Sequence, residues 1–353
     1  MTTTKIALLS ALAAGALVLS ACSGSETTTT EPTSAPSAVE SASESADAVE
    51  AAGGASVVAT TTMLGDVTGE IVLCAGGNVE ILMPNGVDPH DFSASSDQIA
   101  SMIGADLVVV NGLGLESGLT DSLANATSDG ANVFEVAPLL DPIEFGAGSH
   151  SEEGHSDEEG HSDEEGHSDE EGHDDHGSLD PHFWFDMNRM AKAAELIGAE
   201  LTTATGDDAY TTCAQATATQ IRAAEGEVRA LLESVPADQR ILVTDHEALG
   251  YLADVYGYEI AGTVIPAGTT LAEPSSADLA ALVATIKAEG ITAIFSNTSS
   301  PTALAEAVAA ESGTNIKVIP LYVESLGEPG SPAATYVDMM RTNAQLIAEG
   351  LQG

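Results

Sequence analysis

From Ser56 onward, short apolar runs alternate with stretches whose apolar residues recur at helical spacing. The first runs predict strands at Val57–Thr60, Val79–Met83, Leu107–Val110 and Val133–Val136. Helical patterns lie between them at Leu64–Cys74, Ser96–Ile103 and Ser117–Ala126. A second set predicts strands at Ile241–Thr244, Glu259–Val264, Ile291–Phe295 and Ile316–Pro320. Its helices fall at Ala248–Tyr256, Ser276–Ala288 and Pro301–Glu311, with a closing helix at Ala333–Glu349. Strands that alternate with helices belong to parallel sheets covered on both faces. The expected fold class is therefore α/β in two lobes, each a mostly parallel sheet of four strands flanked by helices. Between the two sets, Asp207–Ser234 has no Pro and only one Gly, Gly226, and places Ile221, Val228, Leu231 and Leu232 at helical spacing. A helix of that length spans roughly 42 Å, longer than a small lobe. These patterns put an N-terminal lobe at 56–205, one rigid linking helix at 206–236 and a C-terminal lobe at 237–353.

Two segments lie outside this alternation. Met1–Cys22 carries one charge, Lys5, then an uncharged, mostly apolar run from Ile6 to Leu19, then Leu19-Ser20-Ala21-Cys22. This reads as a secretory signal over 1–21, because the run is shorter than the ~20 apolar residues of a membrane span. The tetrapeptide resembles the bacterial lipobox, which makes Cys22 a lipidation site and anchors the chain to the outer face of the cytoplasmic membrane. A signal cut nearby without lipid is the alternative. Residues 22–55, rich in Ser, Thr, Pro and Glu, read as a flexible tether. The remaining cysteines, Cys74 and Cys213, either form one disulfide in an oxidising compartment or stay as two free buried thiols. The second segment, 149–177, runs SEEGH, then SDEEGH three times, then DDH. Its six-residue period fits neither helix nor strand, so disorder is expected. It holds His155, His161, His167 and His173, bracketed by His150 and His176. Imidazoles among carboxylates suit weak, multiple binding of transition metals, zinc foremost. A solvated acidic spacer is the plainer reading.

Charge narrows the partners. The 353 residues include 9 Lys plus Arg and 55 Asp plus Glu, a formal net charge of −46. Nine cations cannot neutralise a phosphate backbone, so nucleic acid is excluded. Acids at 151–175 number 13 and those at 23–50 number 6, which leaves 36 elsewhere against 8 bases once Lys5 is set aside. The body itself is therefore acidic, and a metal cation is the simplest partner.

Outside the insert the chain has only three histidines, His90, His182 and His246. His90 follows a predicted strand in Asp88-Pro89-His90, His182 precedes a helix in Asp180-Pro181-His182, and His246 follows the strand Ile241–Thr244. Ligands of open α/β sheets bind outside the carboxyl ends of strands, which is where these residues fall. A zinc ion with three imidazoles takes a fourth ligand, often a carboxylate, and Glu324 stands just past the strand Ile316–Pro320. Each histidine alone suits a surface or hydrogen-bonded core role; three together at loop mouths point to a metal. Asn111-Gly112-Leu113-Gly114-Leu115-Glu116 lacks the third Gly of a dinucleotide loop, and His246-Glu247 lacks the second His of a zinc protease helix.

Taken together, MPNGVDPHDF, NGLGLE, DPHFWFD, TDHEALGYLADVYG, AEPSSADL and LYVESLGEPGSPAATYVDMM resemble the solute-binding lipoproteins of zinc and manganese ABC transporters, over about Met63 to Met340. The resemblance implies two four-stranded lobes, a rigid joining helix and a metal in the cleft between them. It also implies ligands at His90, His182, His246 and Glu324. The manganese branch typically has Glu at the third position, so His246 indicates zinc, with manganese the lesser candidate; the His-rich insert is likewise a zinc-branch feature. Two departures stand out: Glu324 replaces a usual Asp, and Asn297 in Ile294-Phe295-Ser296-Asn297 stands where an acid is common. The implied role is non-enzymatic capture of Zn(II) by a monomer that delivers it to a membrane permease driven by a cytoplasmic ATPase. The competing readings are a zinc-dependent hydrolase and a surface adhesin that scavenges metal without a transporter.

Overall fold

The computed structural model describes residues 53–146, 179–313 and 316–353. The signal, Cys22, nearly all of the tether and the insert with His150, His155, His161, His167, His173 and His176 lie outside the described residues. In the first lobe, β1 (Ser56–Ala59), α1 (Thr62–Cys74), β2 (Asn78–Ile81), α2 (Ser96–Gly104), β3 (Leu107–Val110), α3 (Thr120–Ser128) and β4 (Val133–Glu135) follow in sequence. Next come α4 (Met187–Thr205) and α5 (Ala209–Glu233). The second lobe runs β5 (Ile241–Thr244), α6 (Gly250–Tyr256), β6 (Glu259–Thr263), α7 (Ser276–Glu289), β7 (Ala293–Asn297), α8 (Ala303–Glu311), β8 (Lys317–Leu321) and α9 (Tyr336–Gln352).

Both sheets are four-stranded and parallel, with orders β2-β1-β3-β4 and β6-β5-β7-β8. The central strands are the apolar ones: β3 is buried at every position and β7 likewise. Such runs, without polar alternation, are what a strand covered by helices on both faces requires. The repeated order gives each lobe a switch point where connections leave a central strand in opposite directions, and the carboxyl ends there open a crevice.

Strand β7 begins two residues later than the apolar run predicts. Gly290 takes a left-handed conformation (φ 68°) to end α7, and the Ile291 N–H turns back to the Ile286 carbonyl at 3.1 Å. Ile291 is thus spent on closing the helix, and the strand extends instead to Asn297. Similarly, Ser117–Leu119 forms a separate 3₁₀ turn before α3.

The linking helix α5 has 25 residues and does not stand free. Helix α4, which ends in left-handed Gly206 (φ 77°), folds back along it. A side chain at Gly198 would collide with Ala214 and the Tyr210 carbonyl, so this pair packs at backbone distance. Helix α5 also packs on α1 of the first lobe and on α9 of the second. Cys74, at the end of α1, forms a disulfide with Cys213 of α5, with Cα atoms 6.0 Å apart. The apolar interior is continuous through both lobes, from Val57 and Val109 through Ala194, Ile221 and Val228 to Leu242, Phe295 and Ile347. Each lobe adds a smaller core on its outer face, around Val108 and Met102 in one and Val243 and Ile294 in the other.

Candidate metal centre

The two Asp-Pro-His segments fold as the same turn. The Asp88 carboxylate accepts the His90 backbone N–H at 2.9 Å, and the Asp180 carboxylate accepts that of His182 at 2.9 Å. An Asx turn of this kind fixes the histidine backbone locally, and Pro between the two residues removes a competing donor. His246 leaves the end of β5, with its carbonyl accepting the Thr244 hydroxyl at 2.9 Å. Glu324 comes three residues after β8. The segments after β2, β5 and β8, together with the turn ahead of α4, therefore deliver the four side chains predicted from sequence to one place.

Their candidate ligand atoms all lie within 4.8 Å of one another, and none of the four residues is more than 2% exposed. Glu324 Oε1 is the common point, 2.8 Å from His90 Nε2, 3.2 Å from His246 Nε2 and 3.9 Å from His182 Nε2. Despite this closeness, Oε1 and all three Nε2 atoms lack a well-directed hydrogen bond. Four buried polar atoms at ion-pair distance without directed hydrogen bonds leave the cost of their burial only partly offset. A shared cation resolves the arrangement: with zinc–ligand bonds of about 2.0–2.2 Å, tetrahedral donors stand about 3.3 Å apart.

Charges around the site act on one another. Burial pushes the Glu324 carboxyl up, but the His246 charge and the nearby imidazoles outweigh it and hold it well below the usual range. For His246, burial pulls the imidazole down, whereas Glu324 and Asp245 together push it up to about 10. The Asp245 oxygen is 3.6 Å from His246 Nδ1, too long for a hydrogen bond, so its effect is through charge. His182 also rises: burial lowers it, and the Asp180 carboxylate 2.7 Å from Nδ1 overrides that.

Several supporting residues had no assigned role in the sequence reading. Asn111-Gly112-Leu113-Gly114 turns through three successive left-handed residues (φ 84°, 55° and 79° at Gly112, Leu113 and Gly114), a conformation disfavoured for Leu113. The buried Glu116 carboxylate holds that turn, accepting the Thr60 hydroxyl at 2.7 Å and the backbone N–H groups of Asn111 and Gly112 at 2.7 and 3.1 Å. Asn111 Nδ2 then donates to the Pro181 carbonyl at 3.0 Å, and the Ser117 hydroxyl to the His90 carbonyl at 2.8 Å. NGLGLE and the Ser117 that follows it thus bracket the two histidine turns rather than form a phosphate loop. Trp184 Nε1 donates to the Val323 carbonyl at 2.9 Å, which joins the His182 turn to the residue before Glu324. The repeated Asp two places before His was the one legible signal for this support. At the second noted departure, Asn297 Nδ2 donates to Glu324 Oε2 at 2.6 Å.

Two α/β lobes with a buried cluster of three imidazoles and one carboxylate between them define a class of metal-binding, two-lobed solute-binding proteins. The family described as Zinc-uptake complex component A periplasmic matches residues 57–350, and the chain belongs to that family. It is 27% identical over 300 residues to the manganese-binding lipoprotein MntA of Halalkalibacterium halodurans, covering 84% of this chain and 89% of that one. With the zinc-binding protein TroA of Treponema pallidum it shares 28% over 305 residues, covering 84% and 88%. The solved structure of the T. pallidum periplasmic zinc binding protein TroA superposes with a TM-score of 0.70 at 26% identity, covering 85% of this chain and 99% of that one. A manganese-bound periplasmic metal binding protein from Candidatus Liberibacter asiaticus shares the fold with a TM-score of 0.67 at 24% identity, covering 84% and 99%. The chain is accordingly a metal-binding component of an ABC transporter.

Proposed function

We propose that this protein captures Zn(II) outside the cytoplasm with His90, His182, His246 and Glu324 and hands it to a membrane permease driven by a cytoplasmic ATPase. The observation that carries the reading is the convergence of three imidazole Nε2 atoms on Glu324 Oε1 without hydrogen bonds between them. Three nitrogens and one oxygen suit four-coordinate zinc, whereas manganese favours oxygen donors in a larger shell. The similarity to TroA supports zinc, and that to MntA marks manganese as the competitor. A hydrolase would need an open position for water, and four mutually facing donors at most 2% exposed favour a carrier. Lipidated Cys22 tethers the monomer to the outer face of the membrane, and the insert at 149–177 adds weak zinc sites.

Metal analysis of protein purified without added metal tests this, with competition titration of zinc against manganese. One tight zinc per chain is expected, and His90→Ala and His246→Ala each weaken it by orders of magnitude. Unchanged zinc affinity in both variants rejects the ligand set.

A further inference from the structure

The two carboxylate oxygens of Glu324 have different surroundings. Oε1 faces the three imidazoles, while Oε2 accepts the Asn297 amide N–H at 2.6 Å. Both side chains are buried, Asn297 at 0% and Glu324 at 2% exposure, so solvent does not compete for Oε2. The amide itself has one workable orientation. Asn297 Oδ1 accepts the Ser299 backbone N–H at 2.9 Å, which leaves the NH₂ end for Glu324. The flipped amide would set oxygen against carboxylate and NH₂ against N–H. Asn297 ends β7 opposite Leu321, the last residue of β8, and Glu324 follows three residues later, so the paired strand ends bring the two side chains together.

We infer that Asn297 is a specificity-determining residue: by occupying Oε2 it holds Glu324 to a single coordinating oxygen and limits the site to four donors. The inference rests on the proposed zinc role of the four ligands and explains how that site discriminates. A carboxylate coordinates through one oxygen or two. A glutamate, with one more rotatable bond than aspartate, can swing Oε2 inward as a fifth donor. Five or six donors richer in oxygen suit manganese, while four suit zinc. A neutral amide donor blocks that swing without adding a second negative charge beside Glu324. Asn297 touches no metal; it acts through Glu324 as a positioning residue.

Cobalt(II) reports the difference directly, because its visible d–d bands are intense in four-coordinate sites and weak in five- or six-coordinate ones. The experiment compares the full chain with Asn297→Leu, which keeps the branched shape but donates nothing, and with the smaller Asn297→Ala. Each protein is loaded with one equivalent of cobalt(II), then titrated competitively with zinc and with manganese. The wild type is expected to show intense four-coordinate bands. In the variants the bands should weaken, and zinc affinity should fall roughly 10–100-fold. Manganese affinity should hold or rise, so that preference shifts by at least that factor. An equal fall for zinc and manganese with unchanged bands marks a merely structural role and overturns the inference, as do variants that keep the wild-type spectrum and metal preference. Should neither variant fold, the wild-type spectrum decides: one tightly bound cobalt with weak, high-coordinate bands overturns this inference while leaving the four ligands in place. A wild-type chain that binds neither zinc nor cobalt tightly overturns the ligand set and this inference together.

Discussion

Asp180 holds His182 twice: its Oδ1 accepts the His182 backbone N–H at 2.9 Å and lies 2.7 Å from the ring Nδ1. An acceptor there favours the tautomer with the proton on Nδ1, which leaves the Nε2 lone pair facing the other ligands. His90 has the same turn but not the same ring contact, since the second Asp88 oxygen instead accepts the Thr270 hydroxyl from the opposite lobe at 2.5 Å. Asp180→Asn keeps an acceptor for the backbone N–H and loses the charge behind the ring. Zinc affinity should fall roughly 10–100-fold while the circular dichroism spectrum stays that of the wild type; competition titration measures the first and rejects the coupling if affinity is unchanged.

Zinc binding should strengthen with pH through and above neutrality. His246, raised from its ordinary 6.5 to about 10 by Glu324 and Asp245, keeps its proton in the metal-free chain at pH 7 and must release it to coordinate. Protonation competes with metal, so apparent affinity rises about tenfold per pH unit for one displaced proton. In the metal-free protein the same shift stabilises the fold fully below about 6.5, and that contribution fades as pH climbs towards 10. Competition titrations at pH 6, 7 and 8 check the slope; an affinity that levels off above pH 7 contradicts it.

Metal loading should leave the overall shape nearly unchanged. Helix α5 packs against both lobes, and cross-lobe hydrogen bonds join Asn85 Nδ2 to the Gly327 carbonyl at 2.7 Å, the Gly86 N–H to Ser325 Oγ at 2.7 Å and the Leu326 N–H to Thr62 Oγ1 at 2.9 Å. Wide hinge closure would break these contacts together. Solution scattering curves with and without zinc should superimpose, and a large compaction would exclude the rigid link.

The disulfide should serve stability rather than metal capture. Cys74 lies at the end of α1 that points away from the carboxyl ends of the strands, where the ligands converge. It closes a loop of 139 residues, and loss of a native bridge costs about 2–4 kcal/mol. A Cys74→Ala, Cys213→Ala double variant should melt several degrees lower yet still bind one tight zinc, as read by calorimetry and metal analysis.

Deletion of residues 149–177 should remove weakly held zinc and keep the tight ion. Each residue that a chain of such composition must order to wrap a metal costs about 1–2 kcal/mol, whereas the four buried side chains are already in place. The deletion should also slow loading from chelated zinc, because the tract is tethered directly ahead of His182. Loss of the tight ion on deletion would make the tract itself the principal site.

Much of this protein is written in local patterns. Alternating strands and helices, two sets of four, follow from periodicity and turn residues that act over a few positions, and the repeated Asp-Pro-His announces a turn by itself. His90, His182 and His246 are legible because the rest of the chain outside the insert has no others and each falls at the mouth of a loop. Parallel α/β order then directs the ends of β2, β5 and β8 to one crevice.

What the tertiary structure decided is which atoms of those residues meet. Periodicity does not reveal that Glu116, far from any ligand in sequence, braces the His182 turn through Asn111, or that its neighbour Ser117 holds the His90 carbonyl. Nor does it choose between a disulfide and two free thiols, a question of whether α1 and α5 bring Cys74 and Cys213 within bonding distance. The same holds for Asn297, which as a string of letters is only a missing acid. Its hydrogen bond to Glu324 exists because β7 ends beside Leu321 of β8, just ahead of Glu324. Local chemistry sets turns and periods, but the partner of a buried polar atom is chosen by long-range packing, since every such atom must find its bond among whatever neighbours the folded chain provides.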